Sequence, residues 1–172
     1  MKKTIGPIAL IAIMALTTLM LSCQPRDIRY ESQEDIQSLL DAEKKASDLS
    51  QKDGFTKAML ANVSDSTVLL RPEHMPIKGA AIKDFLTNEP DTAYTVTWVA
   101  DKAVVAASGE LGYTYGTYTL RMKKDGSIHR GTYATIWQRE KKQEGWKMLL
   151  DTGNPGVAKA ADTSAPAAAQ PQ

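Results

Sequence analysis

The sequence predicts an α+β fold, in which a curved antiparallel sheet wraps around helices that precede it in the chain. Two observations predict this class. Apolar residues recur at helical spacing in the first part of the chain, and four later stretches are rich in β-branched and aromatic residues. Helices followed by a run of hairpins place the helices on one face of the sheet. The glycines that permit bends and bulges inside these stretches are Gly109, Gly112, Gly116 and Gly131.

The longest predicted helix covers residues 31–51. The residues that form its apolar stripe, at spacings of three and four, are Ile36, Leu39, Leu40, Glu43, Ala46 and Leu49. Ser32 with Asp35 makes a start cap, and the polar sequence ending in Gly54 terminates the helix. Two shorter helices are predicted over 55–63 and 80–86, the second closed by Asn88 and Pro90.

Strands are predicted where β-branched and aromatic residues dominate. A first strand covers 67–71 and is ended by Pro72, and 76–79 is a turn region. The four later strands are 94–107, 110–123, 129–140 and 146–151. The polar or glycine-containing segments predicted as turns are 101–102, 108–109, 124–126 and 143–145.

The folded domain is predicted over residues 31–155. Residues 156–172 are rich in Ala, Pro and Gln and have little to bury, which predicts a disordered tail. The chain has 172 residues with 21 basic and 20 acidic side chains. Removal of Lys2 and Lys3 with a signal peptide leaves a net charge of about −1, which excludes a strongly basic nucleic-acid-binding surface.

The single cysteine, Cys23, ends an apolar run that begins after Lys2 and Lys3. This arrangement predicts a bacterial lipoprotein signal peptide over 1–22, lipidation of Cys23 and a tether over 23–30. An uncleaved anchor helix and a buried structural cysteine are the alternatives. A membrane span has no use for a cysteine at its exit, and signal-like and linker-like residues flank this one.

Lipidation predicts a location in the bacterial cell envelope, with the membrane as a partner through the lipid anchor. Gln24 stands after the cysteine, where many lipoproteins of the inner membrane have aspartate, so the outer membrane is favoured.

Several blocks of the chain stand in a recognisable order. They are residues 54–55, 68–72, 108–114, 116–118, 131–137, 145–147 and 151–153. With these blocks the chain resembles bacterial members of the nuclear transport factor 2-like superfamily. Within it, the chain is similar to the branch called domain of unknown function 4440, near the SnoaL-like polyketide cyclases and ketosteroid isomerases. The resemblance implies a cone-shaped, cystatin-like domain with an apolar pocket, often a homodimer through the outer face of its sheet.

Arg71 occupies the position where the resemblance implies the general-base aspartate of ketosteroid isomerases, directly before Pro72. A guanidinium stays protonated and cannot act as that base. Two uses remain open for this residue. It binds an anionic group of a ligand, or it forms a structural ion pair with Glu110 or Asp151.

The candidates for acid–base catalysis are Glu110, Asp151 and His74. Both acids stand at the edges of apolar strands, and His74 follows the first strand near the expected pocket mouth. The alternative for the acids is that they cap turns or neutralise Arg71. His129 stands beside a turn and is predicted to face solvent. Two histidines without ligand-spaced partners do not indicate a metal site, and no cofactor-binding fingerprint is present.

Aromatic residues of the strands are candidates for lining a pocket. Alternation places Tyr113 and Tyr115 on one face and Tyr118 on the other, whereas Tyr133 and Trp137 share a face. The residues predicted to bind a ligand are Arg71, Trp98, Tyr115, Tyr133 and Trp137. Ordinary packing of the core is the alternative explanation for the aromatic residues.

Three functions follow. The first is a membrane-tethered domain that binds a small apolar or amphipathic molecule. The second is a SnoaL- or dehydratase-like lyase or isomerase that uses His74 or a buried carboxylate as its base. The third is a dimeric interaction module without a ligand.

Overall fold

The computed structural model describes residues 32–88 and 91–156. The helices are α1 (Gln33–Asp53), α2 (Phe55–Asn62) and α3 (Ala80–Asn88). The strands are β1 (Val68–Leu70), β2 (Ile77–Lys78), β3 (Tyr94–Val105), β4 (Leu111–Met122), β5 (Ile128–Gln138) and β6 (Lys147–Pro155). A short 3₁₀ helix, Asp91–Ala93, leads into β3.

The six strands form one curved sheet in the order β2-β1-β6-β5-β4-β3. The pair β1–β6 is parallel, and the other four pairs are antiparallel. Helix α1 packs against β3, and the apolar core lies between the helices and the inner face of the sheet. The predicted α+β class, with N-terminal helices inside a curved sheet, is confirmed.

A capping residue at each end, Ser32 and Gly54, sets the bounds of helix α1. The Ser32 side chain accepts a hydrogen bond from the Asp35 backbone N–H at 3.3 Å. Gly54 ends the helix with a φ of 103°, which glycine adopts without strain, and its N–H donates to the Ser50 carbonyl at 3.0 Å. The helix begins and ends two residues later in the chain than the predicted bounds of 31 and 51.

Two serines dock α1 on β3, the last strand of the sheet. The Ser50 hydroxyl donates to the Val96 carbonyl at 2.6 Å, and the Ser47 hydroxyl accepts from the Trp98 N–H at 2.9 Å. Backbone groups on the free side of an edge strand need partners. The helix supplies them and thereby fixes Trp98 against the core.

The opposite end of α1 is held by a buried ion pair. Asp35 pairs with Arg139, and their side chains are 7 % and 4 % exposed. Lys142 Nζ donates to the other Asp35 oxygen at 2.7 Å, and the Arg139 guanidinium stacks on the Trp146 ring at 4.2 Å. The hydrogen bond from Lys142 is the main cause that lowers the Asp35 pKa from its ordinary value. The first turn of α1 is therefore tied to the loop between β5 and β6.

The structure corrects two predicted turns. Residues 76–79 contain β2, which pairs antiparallel with β1. Residues 101–102 lie inside β3, where the register shifts between Ala100 and Lys102 in a β-bulge. Polar composition indicated turns at both places, but pairing with a neighbouring strand decides the backbone conformation. Strand β6 likewise runs beyond its predicted end at residue 151, because residues 152–155 continue to pair with β5.

Predictions for the two ends of the chain lie outside the described residues. These are the signal peptide over 1–22, the tether over 23–30, the lipidation of Cys23 and the tail beyond Gly156. Among the helices that the structure describes, none combines the length and apolar character needed to cross a membrane.

Candidate functional site

A cavity of about 250 Å³ lies between α2 and the inner face of the sheet. Its wall is mostly apolar and aromatic, and it includes Phe55, Met59, Tyr94, Val96, Trp98, Tyr118, Leu120, Tyr133 and Met148. Charged groups enter the described wall at one place, where Arg71 and Asp151 meet beside Thr135. An apolar hollow with a few convergent polar groups is the usual form of a small-molecule site.

The polar group is assembled by strand register. Parallel pairing of β1 with β6 sets Leu69 opposite Asp151, so that Arg71 follows the end of β1 close to Asp151. Arg71 Nη2 donates to Asp151 Oδ1 at 2.5 Å. The Thr135 hydroxyl donates to the other oxygen, Oδ2, at 2.8 Å. The side chains of Arg71 and Asp151 are 16 % and 13 % exposed, so this ion pair is largely shielded from water.

The guanidinium of Arg71 keeps donors for a further partner. Its Nη1 donates to the carbonyls of Leu70 at 3.0 Å and Asp151 at 3.2 Å. A guanidinium has five N–H groups. Together with the bond from Nη2 to Asp151 Oδ1, Arg71 makes three hydrogen bonds within the described residues. Of the two acids considered as its partner, the structure places Asp151 against Arg71.

Two sequence candidates lie away from the cavity. Glu110 is exposed in the turn before β4 and lies outside the cavity wall, so the structure does not place it as an acid–base group or as the partner of Arg71. His74 is also exposed, and its ring Nδ1 lies 2.9 Å from the Pro72 carbonyl oxygen. Its ring contacts Phe85 edge-on at 5.1 Å. His129 is exposed, as the adjacent turn indicated.

The predicted aromatic residues divide between three environments. Trp98 and Tyr133 line the cavity. Tyr115 lies on the outer face with 44 % exposure and cannot reach the cavity, because alternate residues of a strand point to opposite faces. Trp137 shares the inner face with Tyr133 but is fully buried outside the cavity wall. Tyr118, which alternation places on the face opposite Tyr115, lines the cavity instead.

Glu43 is a buried acid whose significance the sequence interpretation missed. Its Oε2 accepts hydrogen bonds from the Thr114 hydroxyl at 2.6 Å and from the Trp137 indole at 2.8 Å. Burial raises its pKa above the ordinary value, which favours the neutral acid. The signal was present in the sequence, since a carboxyl group stands in the apolar stripe of α1.

Tyr133 lines the cavity and is a neighbour of Glu43, which lies outside the cavity wall. Within the described residues, neither the Tyr133 hydroxyl nor Glu43 Oε1 has a hydrogen-bond partner, and both atoms are closed to solvent. Burial and the neighbouring Glu43 raise the Tyr133 pKa. The described residues also contain no group of three His, Cys, Asp or Glu side chains that could hold a metal ion.

Comparison with known proteins gives no match to a protein-family model and no match to a curated protein. Solved structures do match. A nuclear transport factor 2-like protein with a cystatin-like fold from Novosphingobium aromaticivorans is 12 % identical, with a TM-score of 0.58 over 92 % of this chain and 96 % of that one.

Two further structures extend the similarity. A domain of unknown function with a cystatin-like fold from Nostoc punctiforme is 13 % identical, with a TM-score of 0.57 over 74 % of this chain and 81 % of that one. A ketosteroid isomerase-like protein from Erwinia carotovora atroseptica is 13 % identical, with a TM-score of 0.55 over 74 % of this chain and all of that one. At these identities the similarity concerns the fold alone. The chain has the cystatin-like fold of nuclear transport factor 2-like proteins.

Proposed function

We propose that this domain binds a small, largely apolar molecule in its internal cavity, as a lipid-anchored protein of the bacterial cell envelope. The observation that carries the proposal is the mostly apolar cavity of about 250 Å³ with the Arg71–Asp151–Thr135 cluster at one place in its wall. An engineered cavity of about 150 Å³ takes benzene, so about ten non-hydrogen atoms fit here.

Binding without catalysis is favoured by the chemistry of the polar cluster. Arg71 cannot accept a proton. Asp151 is the acid in the described cavity wall, and both of its carboxylate oxygens already accept hydrogen bonds. These hydrogen bonds hold the carboxylate against Arg71 and Thr135 and stabilise its charged form, which makes it a weaker base.

The alternative is a lyase or isomerase, and it is favoured by one comparison, the ketosteroid isomerase-like structure. In that case Asp151 would exchange one of its two partners for the substrate. His74, exposed and outside the cavity wall, is a weaker candidate for the base.

Native mass spectrometry of protein purified from its own cells tests the binding function. We expect a small molecule that co-purifies and is released on unfolding. Leu120→Trp fills the cavity from β4 and should abolish this extra mass. Leu111→Trp makes the same change on the outer face of the same strand, where 44 % of the residue is exposed, and should retain it. The proposal is contradicted if both variants lose the co-purifying molecule equally. It is also contradicted if the unaltered protein carries no such molecule.

The anchor is proposed from the sequence around Cys23. Cys23→Ser should abolish acylation and leave the unprocessed precursor. Labelling with a palmitate analogue in growing cells measures this directly, and label that persists in the variant contradicts the anchor.

We also propose that two copies associate through the outer face of the sheet. This face exposes an apolar row on β4, with Leu111, Tyr113 and Tyr115 each more than 40 % exposed. Tyr115→Arg should lower the dimer fraction in native mass spectrometry. Met75→Arg, at an apolar position that is 85 % exposed outside the sheet, is the control. A dimer equally abundant in both variants contradicts this interface.

A further inference from the structure

The described cavity wall carries two charged side chains, Arg71 and Asp151, and they have opposite sign. They are joined directly, with 2.5 Å between Arg71 Nη2 and Asp151 Oδ1. The charge that the wall presents to a ligand therefore sums to zero. Glu43 lies outside the cavity wall, and burial raises its pKa, which favours the neutral acid.

An anionic ligand gains little in this arrangement. A carboxylate that reaches Arg71 also comes beside Asp151, because the two groups touch. It loses its hydration in a mostly apolar cavity and meets a like charge, and both effects oppose binding. An ammonium group is attracted by Asp151 and repelled by Arg71, so it also gains little.

A neutral hydroxyl or carbonyl group avoids these costs. Its oxygen can accept a hydrogen bond from the N–H groups that Arg71 retains, and the balance between Arg71 and Asp151 stays intact. We propose that the cavity selects uncharged amphipathic molecules, with a hydroxyl or carbonyl group at Arg71 and an apolar body against Trp98 and Tyr118. This inference rests on the binding function proposed above and specifies the chemistry of its ligand.

Three probes of matched length test the selectivity at neutral pH. Octanol, octanoate and octylammonium differ in head-group charge and share an apolar chain that fits about ten non-hydrogen atoms. Isothermal titration calorimetry gives the three affinities for the purified protein. We expect octanol to bind at least about tenfold more tightly than either charged probe.

Charge variants show whether Arg71 and Asp151 cause this preference. Asp151→Asn leaves Arg71 without a counter-charge and should shift the ratio of octanoate to octanol affinity by about tenfold or more toward octanoate. The double variant Arg71→Met with Asp151→Asn restores a neutral wall and should restore the preference for octanol. Asp48→Asn makes the same change of charge on the exposed face of α1, at a residue outside the cavity wall, and should leave the charge preference unaltered.

The outcomes separate the two proposals. Failure of all three probes to bind overturns the binding function and this inference with it. Binding in which octanoate matches or exceeds octanol in the unaltered protein leaves the binding function intact and overturns the selectivity. A preference for octanol that persists unchanged in Asp151→Asn also overturns it, because the apolar wall alone would then explain the order.

Discussion

Trp137 donates its indole N–H to Glu43 Oε2 at 2.8 Å, which joins the middle of α1 to β5 inside the core. The Thr114 hydroxyl on β4 donates to the same oxygen. The carboxyl group therefore serves as an acceptor for two buried donors, a role that does not require a negative charge. Its raised pKa agrees with a neutral acid at this point.

The first prediction concerns Glu43. Because its folded pKa lies above its ordinary value of 4.5, its protonation adds stability at low pH that is lost as pH rises from about 4.5 through the folded pKa. Glu43→Gln keeps an acceptor for Trp137 and Thr114 and should remove this loss, so that the variant gains stability relative to the unaltered protein as pH rises. Urea unfolding at several pH values measures it.

Glu43→Leu is the contrasting change. It leaves the buried Thr114 hydroxyl without its acceptor, while the Trp137 indole keeps its 3.0 Å hydrogen bond to the Thr114 oxygen, and should cost about 1–3 kcal/mol. If the free energy of unfolding changes with pH in the same way in the unaltered protein and in Glu43→Gln, Glu43 is charged in the folded protein and the prediction is wrong.

The second prediction concerns the ion pair in the cavity wall. Arg71→Met leaves the Asp151 carboxylate shielded from water without its counter-charge and should lower the free energy of unfolding by about 3–5 kcal/mol. Asp151→Asn added to it should recover most of the loss. Urea melts of the single and double variants measure the coupling, and simple additivity of the two changes would contradict a structural pair.

The third prediction concerns Gly131, which faces Tyr118 across β4 and β5. A methyl group at Gly131 would lie 2.4 Å from the Tyr118 ring and 2.3 Å from the Asn154 carbonyl oxygen. Gly131→Ala should therefore displace the ring toward the cavity and cost about 1–3 kcal/mol. Thermal melts and octanol affinity measure both effects. Gly145→Ala, where nothing lies within 4 Å of the added methyl group, is the control and should be nearly neutral.

The fourth prediction concerns Asp35. Its folded pKa lies below its ordinary value of 3.8, so the stability from its charged form is fully present above about 3.8 and is lost as pH falls through the folded pKa. Asp35→Asn leaves Arg139 buried without a counter-charge and should cost about 3 kcal/mol or more at neutral pH.

Asp48→Asn is the matched control for Asp35→Asn. Asp48 pairs with Lys44 on the exposed face of the same helix, with 60 % and 74 % of the two side chains exposed, and its loss should cost less than about 1 kcal/mol. Thermal melts at neutral and acidic pH compare the two variants. Equal losses in both would contradict the role of Asp35 as a buried anchor of α1.

The parts of the fold that local chemistry decides could be predicted from the sequence. The cap at Ser32 and the stop at Gly54 bound α1, and alternation places Tyr115 and Tyr118 on opposite faces of the sheet, although the prediction that Tyr115 faces the cavity is wrong. Each of these signals lies within a few residues of the feature that it directs.

The parts that depend on distant partners could not be predicted. Strand β2 exists because β1 offers it an edge. The partner of Arg71 stayed open between two acids because only the parallel register of β1 and β6 brings Asp151 beside it. Glu43 shows the same limit, since its hydrogen-bond donors lie 71 and 94 residues away in the chain.

The parallel contact between β1 and β6 has a consequence for the order of folding. Leu69 and Asp151 come from opposite ends of the domain, so their pairing closes a very long loop and is expected late in folding. Until β6 docks, Arg71 has no counter-charge and β5 presents an unpaired edge to other chains. A chain cut short before β6 would therefore tend to aggregate and would lack Asp151 and the part of the cavity wall that β6 supplies, so competence to bind arises only with completion of the sheet.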